Sequence, residues 1–103
     1  MTLPRLTHLQ FLVITMLKAG AARGRDVRAQ LKHAGVRQSG PAFYQMMAVL
    51  EDAGYLVGWY EQQVIDGQII RERHYKILAP GKKAWLESRD FYMRVVGDLA
   101  RET

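Results

Sequence analysis

The stretch Ser39-Gly40-Pro41-Ala42-Phe43-Tyr44-Gln45-Met46-Met47-Ala48-Val49-Leu50-Glu51-Asp52-Ala53-Gly54-Tyr55-Leu56 decides the fold. Ser39 or Gly40 supplies an N-cap, and Pro41 sits in the first helical turn, where a missing N–H does no harm. Gly54 stops the helix by accepting a positive φ that other residues resist. Phe43, Met47 and Leu50 make an inward stripe with Met46 and Ala53 beside it, which leaves Tyr44, Gln45 and Ala48 facing outward. The chain enters a strand at Tyr55.

Upstream lie two more helical segments. Thr7 and Gln10 fit a capping box that opens a first helix over about His8–Lys18. Its residues Leu9, Leu12, Val13, Met16 and Leu17 recur at three- and four-residue steps, and Phe11 and Ile14 widen the stripe, so burial on most sides is expected. The apolar run over 9–17 is too short to span a bilayer, and Lys18 interrupts any approach to a cleavage site, so it reads as a buried helix rather than an export signal. A second, basic helix is expected from Arg23 or Gly24 to Ala34-Gly35, with Val27 and Leu31 inward. Arg25, Arg28 and Lys32 share one of its faces, and Arg23 and Arg37 flank it. That face is either a solvated surface or one turned toward phosphates.

Downstream, Tyr55 to about Gln63 and Ile69 to Leu78 favour strands, with Asp66-Gly67 marking the turn of a hairpin whose loop is somewhat longer than two residues. On the return strand Arg71, Arg73, Tyr75 and Ile77 share one face. Arg71 and Arg73 suit a wing that follows phosphates or enters a minor groove, the alternative being pairing with Glu61 or Glu72. Pro80-Gly81 opens a last helix to about Leu99, striped by Trp85, Tyr92, Val95, Val96 and Leu99 with Phe91. The stripe exceeds what one small domain must bury, so an isologous dimer is its best explanation, with packing against the first helix as the other reading.

At 103 residues and 49% hydrophobic composition the chain supports one modest core. Its net charge of +5 favours an acidic partner. Residues 1–54 hold seven Lys/Arg against three Asp/Glu, whereas residues 55–103 hold eight against seven, so the excess lies in the first half. The absence of cysteine excludes disulfides and thiolate metal sites and suits a cytoplasmic setting. His8, His33 and His74 do not fall at metal-ligand spacings, no Gly-rich phosphate cradle follows a strand, and neither Ser39 nor Ser88 sits in a nucleophile elbow, so neither an enzyme nor a cofactor is expected.

Three helices, a two-stranded wing and one further helix make a mainly α fold with a small antiparallel β wing, a winged helix-turn-helix with an added C-terminal helix. Residues 1–80 read as a DNA-binding domain and 81–103 as a dimerisation helix, together one compact unit. At this level the chain resembles the PadR family of transcriptional regulators over about Leu6 to Leu86. Gly24-Arg25-Asp26-Val27 looks like a variant of that family's second-helix start. Phe43, Tyr44, Met47, Leu50, Glu51, Gly54 and Leu56 occupy the places of its recognition segment. Arg73-His74-Tyr75-Lys76-Ile77-Leu78-Ala79-Pro80-Gly81 partly reproduces the end of its wing. Ala42 and Leu78 stand where the family has threonine.

The resemblance implies a homodimeric regulator, a repressor by expectation, joined through its last helix and binding a palindromic operator in double-stranded DNA with two recognition helices and two wings. It places Tyr44 on the exposed face of the recognition helix, although packing over the edge of the helix-turn-helix is an equal alternative. Gln45 is the only side chain between Ser39 and Leu50 suited to bidentate contact with adenine. The expected DNA contacts are therefore Arg25, Arg28, Lys32, Arg37, Ser39, Tyr44, Gln45, Gln68 at the wing tip, Arg71 and Arg73. Some relatives in the resembled family bind planar drugs between subunits, but Trp59, Tyr60 and Trp85 read more readily as core than as a ligand site, and no effector is assigned. The competing reading keeps the fold and replaces DNA with a protein partner.

Overall fold

A computed structural model describes residues 3–102. The elements run α1 (His8–Leu17), β1 (Ala22–Arg23), α2 (Gly24–His33), α3 (Gly40–Asp52), β2 (Leu56–Ile65), β3 (Gln68–Ile77) and α4 (Ala79–Glu102). The expected mainly α fold with a β wing is present, and a short strand joins it. β1 pairs antiparallel with β3 through Ala22 opposite Tyr75 and Arg23 opposite His74, giving a three-stranded sheet of order β1-β3-β2.

Local chemistry accounts for the helix limits. The Thr7 hydroxyl accepts from the Gln10 N–H at 3.1 Å and the Gln10 side chain accepts from the Thr7 N–H at 3.0 Å, completing the capping box. Ser39 caps α3 by accepting from the Ala42 N–H at 3.2 Å. At the other end of α3, Gly54 adopts φ +79°, which lets its own N–H reach the Glu51 carbonyl and the Tyr55 N–H reach that of Leu50. This pair of bonds satisfies two carbonyls the helix would leave open.

The hairpin is tighter than the sequence suggested. β2 and β3 stay paired from Leu56 opposite Ile77 to Ile65 opposite Gln68, leaving Asp66 and Gly67 alone in the turn, both at positive φ. Val64, Ile65 and Ile69 are β-branched and favour continued pairing, and the Asp-Gly pair closes it in the tightest hairpin geometry.

The core gathers Val13, Ile14 and Leu17 of α1, Val27 and Leu31 of α2, and Phe43, Met47 and Leu50 of α3 against Leu56, Tyr75, Ile77, Ala84 and Trp85. On α1 the buried centre is Val13, Ile14 and Leu17, while Leu12, expected inward, is 38% exposed. α4 begins at Ala79, one residue earlier than Pro80-Gly81 implied and close enough to the entry of β2 that a Cβ on Gly81 would lie 2.3 Å from the Tyr55 carbonyl oxygen. Its first half completes the core through Ala84, Trp85 and the buried Ser88.

Candidate nucleic-acid interface

α3 turns Phe43, Met47 and Leu50 into the core, and its opposite side presents Ala42, Tyr44, Gln45, Ala48, Val49 and Asp52 to solvent. The wing meets this helix through β2, and β3 carries Arg71, Arg73 and Tyr75 on one face of the wing, opposite Gln62, Tyr60 and Gly58 of β2. Between helix and wing lies a cleft of about 730 Å³ whose walls include Arg25 and Arg28 of α2, Tyr44 of α3, and Tyr60, Arg71 and Arg73 of the hairpin. Tyr44 and Arg73 therefore open onto the same side of the molecule.

The cations around this cleft divide by how they are engaged. Arg73 gives its Nη2 to Glu51 Oε1 of α3 at 2.7 Å and lies over the Tyr60 ring. Burial works against its charge, but Glu51 and Tyr75 more than offset that, so the guanidinium is held above its ordinary value. Arg25 is bound to Glu72 at 2.9 Å, and the same carboxylate takes Arg23 at 3.3 Å, which itself holds Asp26 at 2.8 Å. Arg28 donates from Nε and Nη2 to the Gln38 carbonyl at 3.2 and 3.1 Å, bracing the turn between α2 and α3. Arg71 stacks on Tyr60, 4.1 Å from the ring centroid. Among the described residues, Arg28, Lys32, Arg37 and Arg71 form no ion pair with a carboxylate, and these four keep their full charge available.

The expected site residues, apart from Ser39 and from Gln45, which stands exposed on α3, thus fall into three groups. Tyr44, Arg28, Arg71 and Arg73, with Arg25, meet at the cleft, although Arg25 and Arg73 are paired with carboxylates of β3 and α3. The Arg73 partner is Glu51, not the Glu61 or Glu72 weighed from sequence. Lys32 and Arg37 border an adjoining depression of about 420 Å³ along α2 and the turn into α3, which shares Arg25, Arg28 and Tyr44 with the cleft. Gln68 stands at the wing tip, where Val64 is 73% and Ile69 71% exposed and no Lys or Arg occurs between Glu61 and Ile70. The positive charge of the wing is confined to the half nearest α3. The Ser39 hydroxyl oxygen accepts the cap bond from Ala42.

The aromatic residues do not share a site. Tyr60 faces the cleft, whereas Trp59 lies on the other face of the sheet, stacked on His74 and donating to Glu61 at 3.0 Å. Trp85, grouped from sequence with the partner-facing residues, is instead occupied within the chain: it stacks on Phe11 and donates to the Thr15 hydroxyl at 2.7 Å. Tyr92 also turns toward α1, against His8 and Phe11. Val95 is half-buried, while Val96 is 63% and Leu99 57% exposed.

Sequence reading missed Glu51 as the anion that fixes the wing, weighed Glu72 against Arg71 and Arg73 where it holds Arg23 and Arg25, and missed Gly58 and Gly24 as the spaces for the Glu51–Arg73 pair and for the Tyr44 and Tyr75 rings. A Cβ on Gly58 would lie 2.3 Å from Glu51 Oε1, and one on Gly24 would lie 2.9 Å from Tyr75 and 3.0 Å from Tyr44. A strict two-residue Asp66-Gly67 turn sets Tyr60 opposite Arg73, so that pairing was available in the sequence once the turn length was known. Among the described residues, no three His, Asp or Glu side chains are grouped to hold a metal ion, and no helix is long and apolar enough to cross a membrane.

No family model and no curated protein matches the sequence. Solved structures do match. A PadR-like transcription factor from Bacteroides fragilis superposes with a TM-score of 0.74 at 17% identity, over 92% of this chain and 89% of that one. The chain has the fold of the PadR-like regulators. A PadR family transcription regulator from Clostridium difficile gives a TM-score of 0.73 at 16% identity over 93% and 97% of the two chains. Bacillus subtilis PadR, solved in complex with operator DNA, gives 0.63 at 19% identity over 84% of this chain and 47% of that one. In this PadR-like fold α2 and α3 form the helix-turn-helix, β2 and β3 form the wing, and α4 is the long C-terminal helix.

Proposed function

We propose that the chain is a cytoplasmic DNA-binding transcriptional regulator, a repressor acting as a homodimer on a palindromic operator. The observation that carries this reading is the cleft, in which Arg71 of the wing, free of any carboxylate and backed by Tyr60, faces the same side as Tyr44 of α3. A helix in the major groove and a strand pair over the next phosphates need cations at that junction. Arg28, Lys32 and Arg37 extend the available charge along α2. The Bacillus subtilis PadR structure, with operator DNA bound to the same fold, supports the choice of partner. Dimerisation draws on Val96 and Leu99, apolar side chains left in water by a single copy.

Fluorescence anisotropy with labelled duplex over a salt series tests the proposal. Affinity is expected to fall steeply with salt, with a slope near −0.9 per phosphate neutralised, and Arg71→Ala should make that slope shallower by about one phosphate. Absence of duplex binding at low salt would refute it. That result would favour a protein-interaction module, a reading supported by the apolar wing tip of Val64 and Ile69.

A further inference from the structure

The solvent face of α3 has a composition that limits what it can read. It carries Ala42, Tyr44, Gln45, Ala48, Val49 and Asp52, with no Lys or Arg from Ser39 to Asp52. Bidentate recognition of guanine in the major groove rests chiefly on Arg or Lys donating to O6 and N7, and this face carries neither. Gln45 holds a donor and an acceptor in one amide, the combination that matches N6 and N7 of adenine. Ala42 and Val49 lie three residues before and four residues after Gln45, on one flank of it, and Ala48 lies on the other. Their methyl groups match one feature of the groove, the C5 methyl of thymine. Val49 is 51% exposed, so contact with such a methyl removes apolar surface from water.

The charges along α3 fix which part of it enters. Asp52 lies one to two turns beyond Gln45, Ala48 and Val49 on the same face, and its carboxylate is repelled by phosphates. The N-terminal end carries the positive end of the helix dipole, no acidic residue in its first turn and the Ser39 cap. Insertion is therefore limited to the turns from Ala42 to Val49, where the amide and the methyl groups lie.

We infer, building on the DNA-binding reading above, that α3 selects adenine–thymine pairs in the major groove, Gln45 bonding adenine and Ala42, Ala48 and Val49 packing on thymine methyls. Anisotropy at low salt with three duplexes of equal length tests this: alternating dA·dT, the same duplex with deoxyuridine for thymidine, and alternating dG·dC. The dA·dT duplex is expected to bind about tenfold more tightly than dG·dC, as one bidentate pair allows. It should bind about threefold or more tightly than the uracil duplex, which differs only by the methyl groups. Gln45→Ala should shrink the first ratio, and Val49→Ser the second. Both positions are exposed, and an unchanged melting temperature verifies that each variant is folded. Salt-dependent binding to all three duplexes with equal affinities, or tighter binding to dG·dC, overturns the inference and leaves DNA binding standing. Equal affinity for the thymine and uracil duplexes overturns the methyl contacts alone. No binding to any duplex removes both.

Discussion

The Arg73–Glu51 pair fastens the wing to α3, and its removal has a calculable cost. The bond is 2.7 Å long and its side chains are 25% and 22% exposed, which places it between an open surface pair and a buried one. Exposed pairs contribute about 0.2–1 kcal/mol, and hydrogen bonds to charged groups about 1.5–3 kcal/mol. Discounting the second range for the remaining exposure, we expect Glu51→Ala to cost about 1.5–2 kcal/mol, because it also leaves Arg73 half-sequestered between Tyr60 and Tyr75 with no anion. At about 4–8 °C per kcal/mol for a domain of this size, the melting temperature should fall by roughly 6–16 °C. Arg73→Ala should be of similar size. Urea denaturation of both single variants and the double variant closes a cycle in which the coupling is expected near 1 kcal/mol. A coupling below about 0.3 kcal/mol, within the range where independent sites add, would show that the two side chains do not hold each other and would refute the argument.

Two further outcomes follow from the packing. Burial raises the Tyr75 hydroxyl above its ordinary value of 10.0, with the hydrogen bond from Arg73 acting in the opposite direction. The folded chain therefore keeps this proton more tightly than the unfolded chain. The stabilisation is complete below about pH 10 and is lost as pH rises through the folded value, so urea midpoints should decline from that point and Tyr75→Phe should flatten the decline; an equal decline in the variant would exclude Tyr75 as the cause. Val96→Glu combined with Leu99→Glu should convert a dimer into a monomer in sedimentation at tens of micromolar, and a wild-type chain that is already monomeric there would remove the role proposed for α4.

The sequence revealed those parts of the fold that are set by near neighbours. The Thr7–Gln10 box, the Ser39 cap and the Gly54 stop each act within five residues, and α1, α2 and α3 lie within a residue or two of their expected limits. α1 illustrates where periodicity loses its meaning: from Leu9 to Leu17 the only polar residues are Gln10 and Thr15, so several stripes fit and only packing selects Ile14 over Leu12. β1 has two residues and exists because β3 is beside it, a partner more than fifty residues away. The same holds at the candidate interface. Residue type located the cations, but whether each is free depends on distant carboxylates: Glu51 is 22 residues from Arg73, and Arg23 is 49 residues from Glu72.

The two indoles give the molecule a pair of built-in optical reporters. Trp59 rides on the wing against His74, and Trp85 sits where α1 meets α4, with the Lys18 ammonium 3.5 Å from its ring centroid. Because a nearby cation and a neighbouring imidazole perturb indole emission differently, single Trp→Phe replacements would assign each spectral component to one end of the chain. Light emitted on mixing with a partner would then tell whether the disturbance is felt at the hairpin, at the helical junction, or at both in succession.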